Sequence, residues 1–138
     1  MEKLTPQPTA KGPAERFVGD VYVDGVYAGK EPSRMVVAHV HFTPGARTNW
    51  HSHAVGQTLY GTDGTGLVVT RDGKVVRIRP GDTVWTPPGE EHWHGASATC
   101  LMSHLAMLEG TGDGDPTTWL EPVTDEEYAR ANQAAAQA

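Results

Sequence analysis

An all-β fold in one domain is what this chain predicts, on three observations. Sixteen glycines and ten prolines cut 138 residues into short pieces, the punctuation of a β-sandwich or barrel. Several pieces alternate apolar and polar side chains with a period of two, as half-buried strands do. A helix signal is confined to the end of the chain.

Residues 1–16 are polar and proline-containing and read as an extended N-terminal arm. Residues 17–123 carry the strands. Phe17–Tyr27 alternates, with Val21 and Val23 on one face and Tyr22 on the other. Met35–Phe42 is a strand closed by Pro44-Gly45, and Trp50–Tyr60 is an extended stretch. Gly66–Thr70 and Lys74–Arg79 flank Arg71-Asp72-Gly73, a hairpin turn because Asp-Gly accepts positive φ. Thr83–Thr86 follows Pro80-Gly81-Asp82. His92–Ala96 and Thr99–Leu108 are the last long strands, and Gly110–Pro116 is a loop. Residues 124–138 form a short C-terminal helix and tail. Thr124 caps it, Glu127 completes a capping box, and Asp125-Glu126-Glu127 suits the positive end of the helix dipole. The final ANQAAAQA has helical propensity but little to pack, so it is expected to fray.

A net charge of −6 argues against a nucleic-acid partner, which calls for a basic face. No stretch of about 18 apolar residues suggests a membrane span. A single cysteine, Cys100, and no apolar N-terminal run lead to the expectation of a cytoplasmic protein.

Seven histidines are the chemical signal, and six of them fall in H-x-H pairs. Residues two apart on a strand share a face, so His51 and His53 can point at one metal ion. Gln57 returns to that side if the strand continues, and His92 would arrive from a neighbouring strand after a Pro-Gly turn. Imidazole suits zinc, copper, iron, nickel and manganese, and an amide oxygen is a harder, weaker donor. On spacing alone, such a pair serves equally as surface side chains or as ligands. His39 and His41 have the same spacing but alternate with Val36, Ala38, Val40 and Phe42. That apolar set belongs inside, so these histidines should face outward, where they could meet another subunit. His104 lies in phase with Met102, Ala106 and Leu108, as a core histidine or a cavity residue. Trp50, Trp85 and Trp93 read as core or cavity walls, and Arg47 as a solvated turn residue rather than a substrate clamp.

The framework around the histidines carries a resemblance. Gly45-x5-His51-x-His53-x3-Gln57-x6-Gly64 resembles the first motif of the cupin superfamily, and Gly81-x5-Pro87-x-Gly89-x2-His92 resembles its second, 16 residues later. The resemblance implies a single-domain cupin, a double-stranded β-helix or jelly-roll barrel. It implies one divalent transition metal per chain on His51, His53, Gln57 and His92, with manganese foremost and iron, nickel or zinc as alternatives. Most metal cupins carry glutamate where Gln57 stands. With Gln57, the chain is similar to small bacterial manganese cupins, including those with hydroxynitrile lyase activity. Further matches include Lys11-Gly12-Pro13-Ala14, His92-Trp93-His94-Gly95-Ala96 and His104-Leu105-Ala106.

That branch implies cleavage or formation of a cyanohydrin, with the metal as Lewis acid and His104 as general base, a role suited to an imidazole of pKa near 6.5. His94 shares a strand face with His92, as a fourth imidazole ligand or a supporting residue beside the ligands, and the supporting role is preferred because Gln57 already completes the cupin set. The branch implies a substrate pocket of Ala38, Val40, Thr48, Met102 and Leu108. Leu108 departs from the branch, which can carry a polar residue there. Manganese or iron dioxygenase chemistry and non-catalytic small-molecule binding remain alternatives, since the barrel alone does not decide function. A small-molecule substrate and a homo-oligomer, dimer or tetramer, are the expected partners.

Overall fold

The structure, a computed structural model, describes residues 1–113 and 116–137. Thirteen strands and one helix follow in chain order among them. The first four are β1 (Ala10–Lys11), β2 (Phe17–Val18), β3 (Val21–Ala28) and β4 (Met35–Phe42). Then come β5 (Arg47–Thr48), β6 (His51–His53), β7 (Gln57–Gly64), β8 (Gly66–Thr70) and β9 (Val75–Ile78). The last are β10 (Thr83–Thr86), β11 (His92–Ala96), β12 (Met102–Glu109) and β13 (Thr117–Trp119), before helix α1 (Asp125–Gln137).

Two curled antiparallel sheets face each other as a barrel. One runs β1-β3-β4-β12-β7-β10, and the other runs β13-β6-β11-β5-β2, with β8 on β11 and β9 on β8. The expected arm is tied down at its end, because Ala10 pairs with Val23 and Lys11 with Tyr22. The single strand expected over Phe17–Tyr27 is two strands. Gly19 takes φ 83°, and the chain passes from one sheet to the other there. The stretch Trp50–Tyr60 is likewise interrupted, at Gly56 with φ 83°. A Cβ on Gly56 would lie 2.7 Å from the Thr86 carbonyl oxygen, so glycine suits this corner on both counts.

Alternation places two cores. Val21, Val40, Phe42, Leu59, Val68, Ile78, Ala96 and Met102 fill the space between the sheets. On the far side of the second sheet, Trp50, Leu67, Val69 and Trp93 pack with Val123, Tyr128, Ala131 and Ala135. Strand β8 is therefore buried on both faces, Val68 towards one core and Leu67 and Val69 towards the other. Trp50 and Trp93 are core residues as expected, whereas Trp85, 64% exposed, lies outside both cores and lines a cavity at the surface.

The helix begins as expected. The Glu127 amide donates to Thr124 Oγ1 at 3.1 Å, and the Thr124 amide donates to Glu127 Oε1 at 3.0 Å. Its tail, described as far as Gln137 with Ala138 outside the described residues, is helical and packed where fraying was expected. Tyr128, Ala131 and Ala135 return to one face at helical spacing and close the second core, and Arg77 donates to the Ala135 carbonyl. Small alanines let the helix sit close to the sheet. Arg47, expected in solvent, is a buried strut: it donates to the Val123 carbonyl at 2.7 Å and to Asp125 at 2.8 Å, and lies over the Tyr128 ring. The loop expected over Gly110–Pro116 includes Gly114 and Asp115, which lie outside the described residues. No helix among the described residues is long and apolar enough to cross a membrane.

A packed tail responds to substitution where a frayed one does not. Ala131→Asp buries a carboxylate without a partner and should cost about 1–3 kcal/mol. Ala129→Asp, on the exposed face of the same turn, should stay within about 0.5 kcal/mol. Urea denaturation measures both, and equal effects would contradict the packed tail.

Candidate metal centre

Two strands bring the histidines together. In β6, residues two apart turn His51 and His53 to one side, and β11 lies antiparallel to it with His92 opposite His51. Ring centroids are 4.9 Å apart for His51 and His53, and 4.4 Å for His51 and His92. One ligand atom from each of the three lies within 4.8 Å of the others. All three side chains are buried.

Their protonation is set by backbone and hydroxyl partners. His51 Nδ1 is 2.9 Å from the Asn49 carbonyl, and His92 Nδ1 is 2.9 Å from the Glu90 carbonyl. A carbonyl only accepts, so each Nδ1 carries the proton and each Nε2 keeps its lone pair. His53 Nδ1 meets Thr117 Oγ1 at 3.0 Å. Burial, reinforced by neighbouring His92, pushes His51 well below the usual imidazole range, and burial also lowers the pKa of His92. The His51 and His92 rings are therefore neutral at physiological pH, the state in which imidazole binds metal. His92 Nε2 and Gln57 Oε1 are buried without a hydrogen-bond partner among the described residues. A buried acceptor left unmatched costs about 1–3 kcal/mol, which a cation would relieve. The three histidines can hold a metal ion.

Gln57 does not continue the strand of His53, as the spacing required. It opens β7 in the other sheet, opposite Thr86 of β10 and Leu108 of β12. The corner at Gly56 carries the chain across between them.

His104 is buried on β12, and its Nε2 lies 2.9 Å from His94 Nδ1. The His94 ring is 5.2 Å from His51 and 5.7 Å from His92, so it stands between His104 and the cluster. Its backbone amide donates to Thr48 Oγ1 at 3.2 Å. His104 differs from the expectation of an ordinary imidazole, because burial lowers its pKa to about 3. Among the expected pocket residues, Val40 and Met102 belong to the inter-sheet core, with Ala38 packed against it. Leu108 lines a different space, a cavity of about 210 Å³ shared with Gln57, Val55, Trp85 and Met107. Met102 and Leu108 sit at opposite ends of β12, about 20 Å apart along the strand.

Over residues 38–102 the chain matches the family model described as a cupin domain. It is 46% identical over 130 residues to an (R)-mandelonitrile lyase of Granulicella tundricola, covering 94% of this chain and 98% of that protein. The chain belongs to the cupin family. Among solved structures, a cupin-like protein from Thermotoga maritima is 37% identical, with a TM-score of 0.83 over 90% of this chain and 93% of that one. A cupin-2 domain protein from Rhodospirillum rubrum shares the fold at 18% identity, with a TM-score of 0.69 over 99% of this chain and 91% of that one.

Two residues of this cupin escaped the sequence reading. Thr117 and Trp119 lie on β13, whose pairing with β6 sets them opposite His53 and His51. Trp119 packs on the His51 ring at 4.8 Å. Thr-Thr-Trp after Pro116 was the available signal, but three residues are too few for alternation to register.

Two measurements follow from the buried imidazoles. Above pH ~6.5 a histidine is neutral in both folded and unfolded chains. Below it the unfolded chain takes protons that folded His104 refuses until about pH 3. Stability is therefore lost as pH falls through that window, by up to ~1.4 kcal/mol per unit for each such histidine. Calorimetry of metal-free protein should show Tm dropping steadily from pH 6.5 to 4, and a flat Tm would mean solvated rings. Thr117→Val removes the hydroxyl on His53 and should weaken metal binding about 10–100-fold. Competition with a chelator reads this, and unchanged affinity would exclude an orienting role.

Proposed function

We propose that this cupin is a metal-dependent hydroxynitrile lyase, acting on cyanohydrins or assembling them from an aldehyde and hydrogen cyanide. The observation that carries the reading is the 46% identity, nearly end to end, with a protein named for that activity. A buried three-histidine cluster with two more buried imidazoles beside it, His94 and its hydrogen-bond partner His104, supports it.

In this reading His51, His53 and His92 hold one divalent transition metal, manganese foremost. Gln57 is the fourth donor, supported by its burial and its unmatched carbonyl oxygen. Such an ion, bound by neutral donors alone, would keep its full charge and supply Lewis acidity to an oxygen of the substrate. His104 acts as the proton acceptor. Burial keeps it neutral at pH 7, and the contact with His94 holds its ring in place. In cleavage, the hydroxyl proton passes to His104 Nδ1, whose Nε2 faces His94. The carbon–cyanide bond breaks with its electron pair leaving on cyanide, and the oxygen's electrons close the aldehyde carbonyl. Cyanide is a stronger base than this imidazole, so it takes the proton and departs as hydrogen cyanide. The apolar side chains of Ala38, Val40 and Met102, with Thr48, shape the space for the aldehyde substituent, and Leu108, at the far end of β12, takes no part in it.

Oxygen chemistry on the same donors is the second reading, because neutral imidazoles with open positions also suit iron or manganese. One assay separates them. Metal-loaded protein should cleave mandelonitrile at the same rate with and without oxygen. His104→Ala should lower kcat by about 10²–10⁴ while keeping the metal, and His53→Ala should lose both. Absence of mandelonitrile turnover by metal-loaded protein would sink the lyase reading.

A further inference from the structure

The second H-x-H pair is also a built cluster. His39 and His41 leave β4 on the face opposite Val40 and Phe42, so the sheet separates them from the metal centre. The antiparallel register of β3 sets Asp24 directly opposite His39. His41 follows two residues along the same face, with its ring 4.3 Å from that of His39. One ligand atom from each of Asp24, His39 and His41 lies within 4.8 Å of the others.

Each side chain is held from behind by a hydroxyl on another element. Ser103 Oγ of β12 is 2.8 Å from His41 Nδ1, and Thr62 Oγ1 of β7 is 2.8 Å from His39 Nε2. The Thr9 hydroxyl donates to Asp24 Oδ1, leaving Oδ2 facing His41 Nε2 at 2.8 Å. Hydroxyls behind imidazoles orient ring nitrogens in the way that partners behind metal ligands do. Partial burial, helped by nearby His41, lowers the pKa of His39 and favours its neutral form. Thr9 and His41 hold the Asp24 carboxyl below its usual range, so it is ionised. His41 and Asp24 are about one-third exposed, at 34% and 35%, so a cation can enter from solvent.

We propose that Asp24, His39 and His41 form a second divalent-cation site, on the outer face of the barrel and independent of the centre at His51, His53 and His92. Two imidazoles and one carboxylate select a borderline ion such as zinc, nickel or copper over magnesium or calcium, which prefer all-oxygen cages. Three protein donors leave a position for water or an outside ligand. A hydrogen-bonded His41–Asp24 ion pair is the rival account. It would need only a proton between Nε2 and Oδ2, and it gives His39 no part.

Zinc stoichiometry decides between the two. The full chain is stripped with chelator, dialysed against micromolar zinc chloride, and assayed by elemental analysis. About two zinc ions per chain are expected. His39→Ala/His41→Ala should fall to one, and His51→Ala/His53→Ala should also retain one, with its remaining zinc lost on adding Asp24→Asn. Asp24→Asn alone, isosteric and at the surface, should weaken the outer ion at least tenfold in zinc titration without lowering the metal-free Tm. This guards against a misfolded double variant. Wild-type protein binding a single zinc that depends only on His51 and His53 would overturn the proposal. So would two zinc ions retained by His39→Ala/His41→Ala.

Discussion

Strand β11 has no face in water, and the rest of the molecule is arranged around that constraint. Its odd and even side chains must each find a dry partner. His92 and His94 turn towards the barrel, while Trp93 turns to the helix side and packs with Tyr128. The imidazoles are tolerable because they are neutral and their Nδ1 atoms are matched. Each unmatched acceptor costs about 1–3 kcal/mol, whereas burying a large apolar side chain returns about 1.5–3 kcal/mol. Two cores supply enough such residues to carry a few polar atoms. The same burial that costs stability keeps the rings deprotonated.

Helix α1 belongs to this arrangement. Leu67, Val69 and Trp93 occupy the outer face of the second sheet, and α1 with Val123 covers them. Arg47 fastens that cover: it leaves β5 beside the site and reaches Val123 and Asp125 at the helix start. The distant end of the chain thus supports the strands on which His51, His53 and His92 stand. Thr117 and Trp119 add a nearer support, against His53 and His51 themselves.

The two H-x-H pairs show how far spacing reaches. His39-Val40-His41 and His51-Ser52-His53 are equivalent as patterns, and each turns two rings to one side of a strand. Their surroundings separate them. The apolar neighbours of the first pair, Val40 and Phe42, claim the interior, so its histidines face outward beside Asp24. The glycine and proline framework around the second pair carried the cupin resemblance, which put His92 in the same set before any contact was known. His104 was legible as a position and not as an acid. A count of apolar neighbours cannot report the depth of burial that lowers its pKa to about 3.

By itself, the sequence determined the all-β class, the turns at Pro-Gly and Asp-Gly, the cap of the helix, and the strand faces of His51, His53 and His92. These follow from local rules: period-two alternation, positive-φ glycines and a Thr-x-x-Glu box. Tertiary structure decided what those rules cannot see. It moved Gln57 to the other sheet across Gly56, buried Arg47, packed Ala131 and Ala135, and brought Thr117 to His53 from 64 residues away. Each of these depends on what arrives on the far side of a strand. That partner is set by sheet register and long-range pairing, which one segment's composition does not encode.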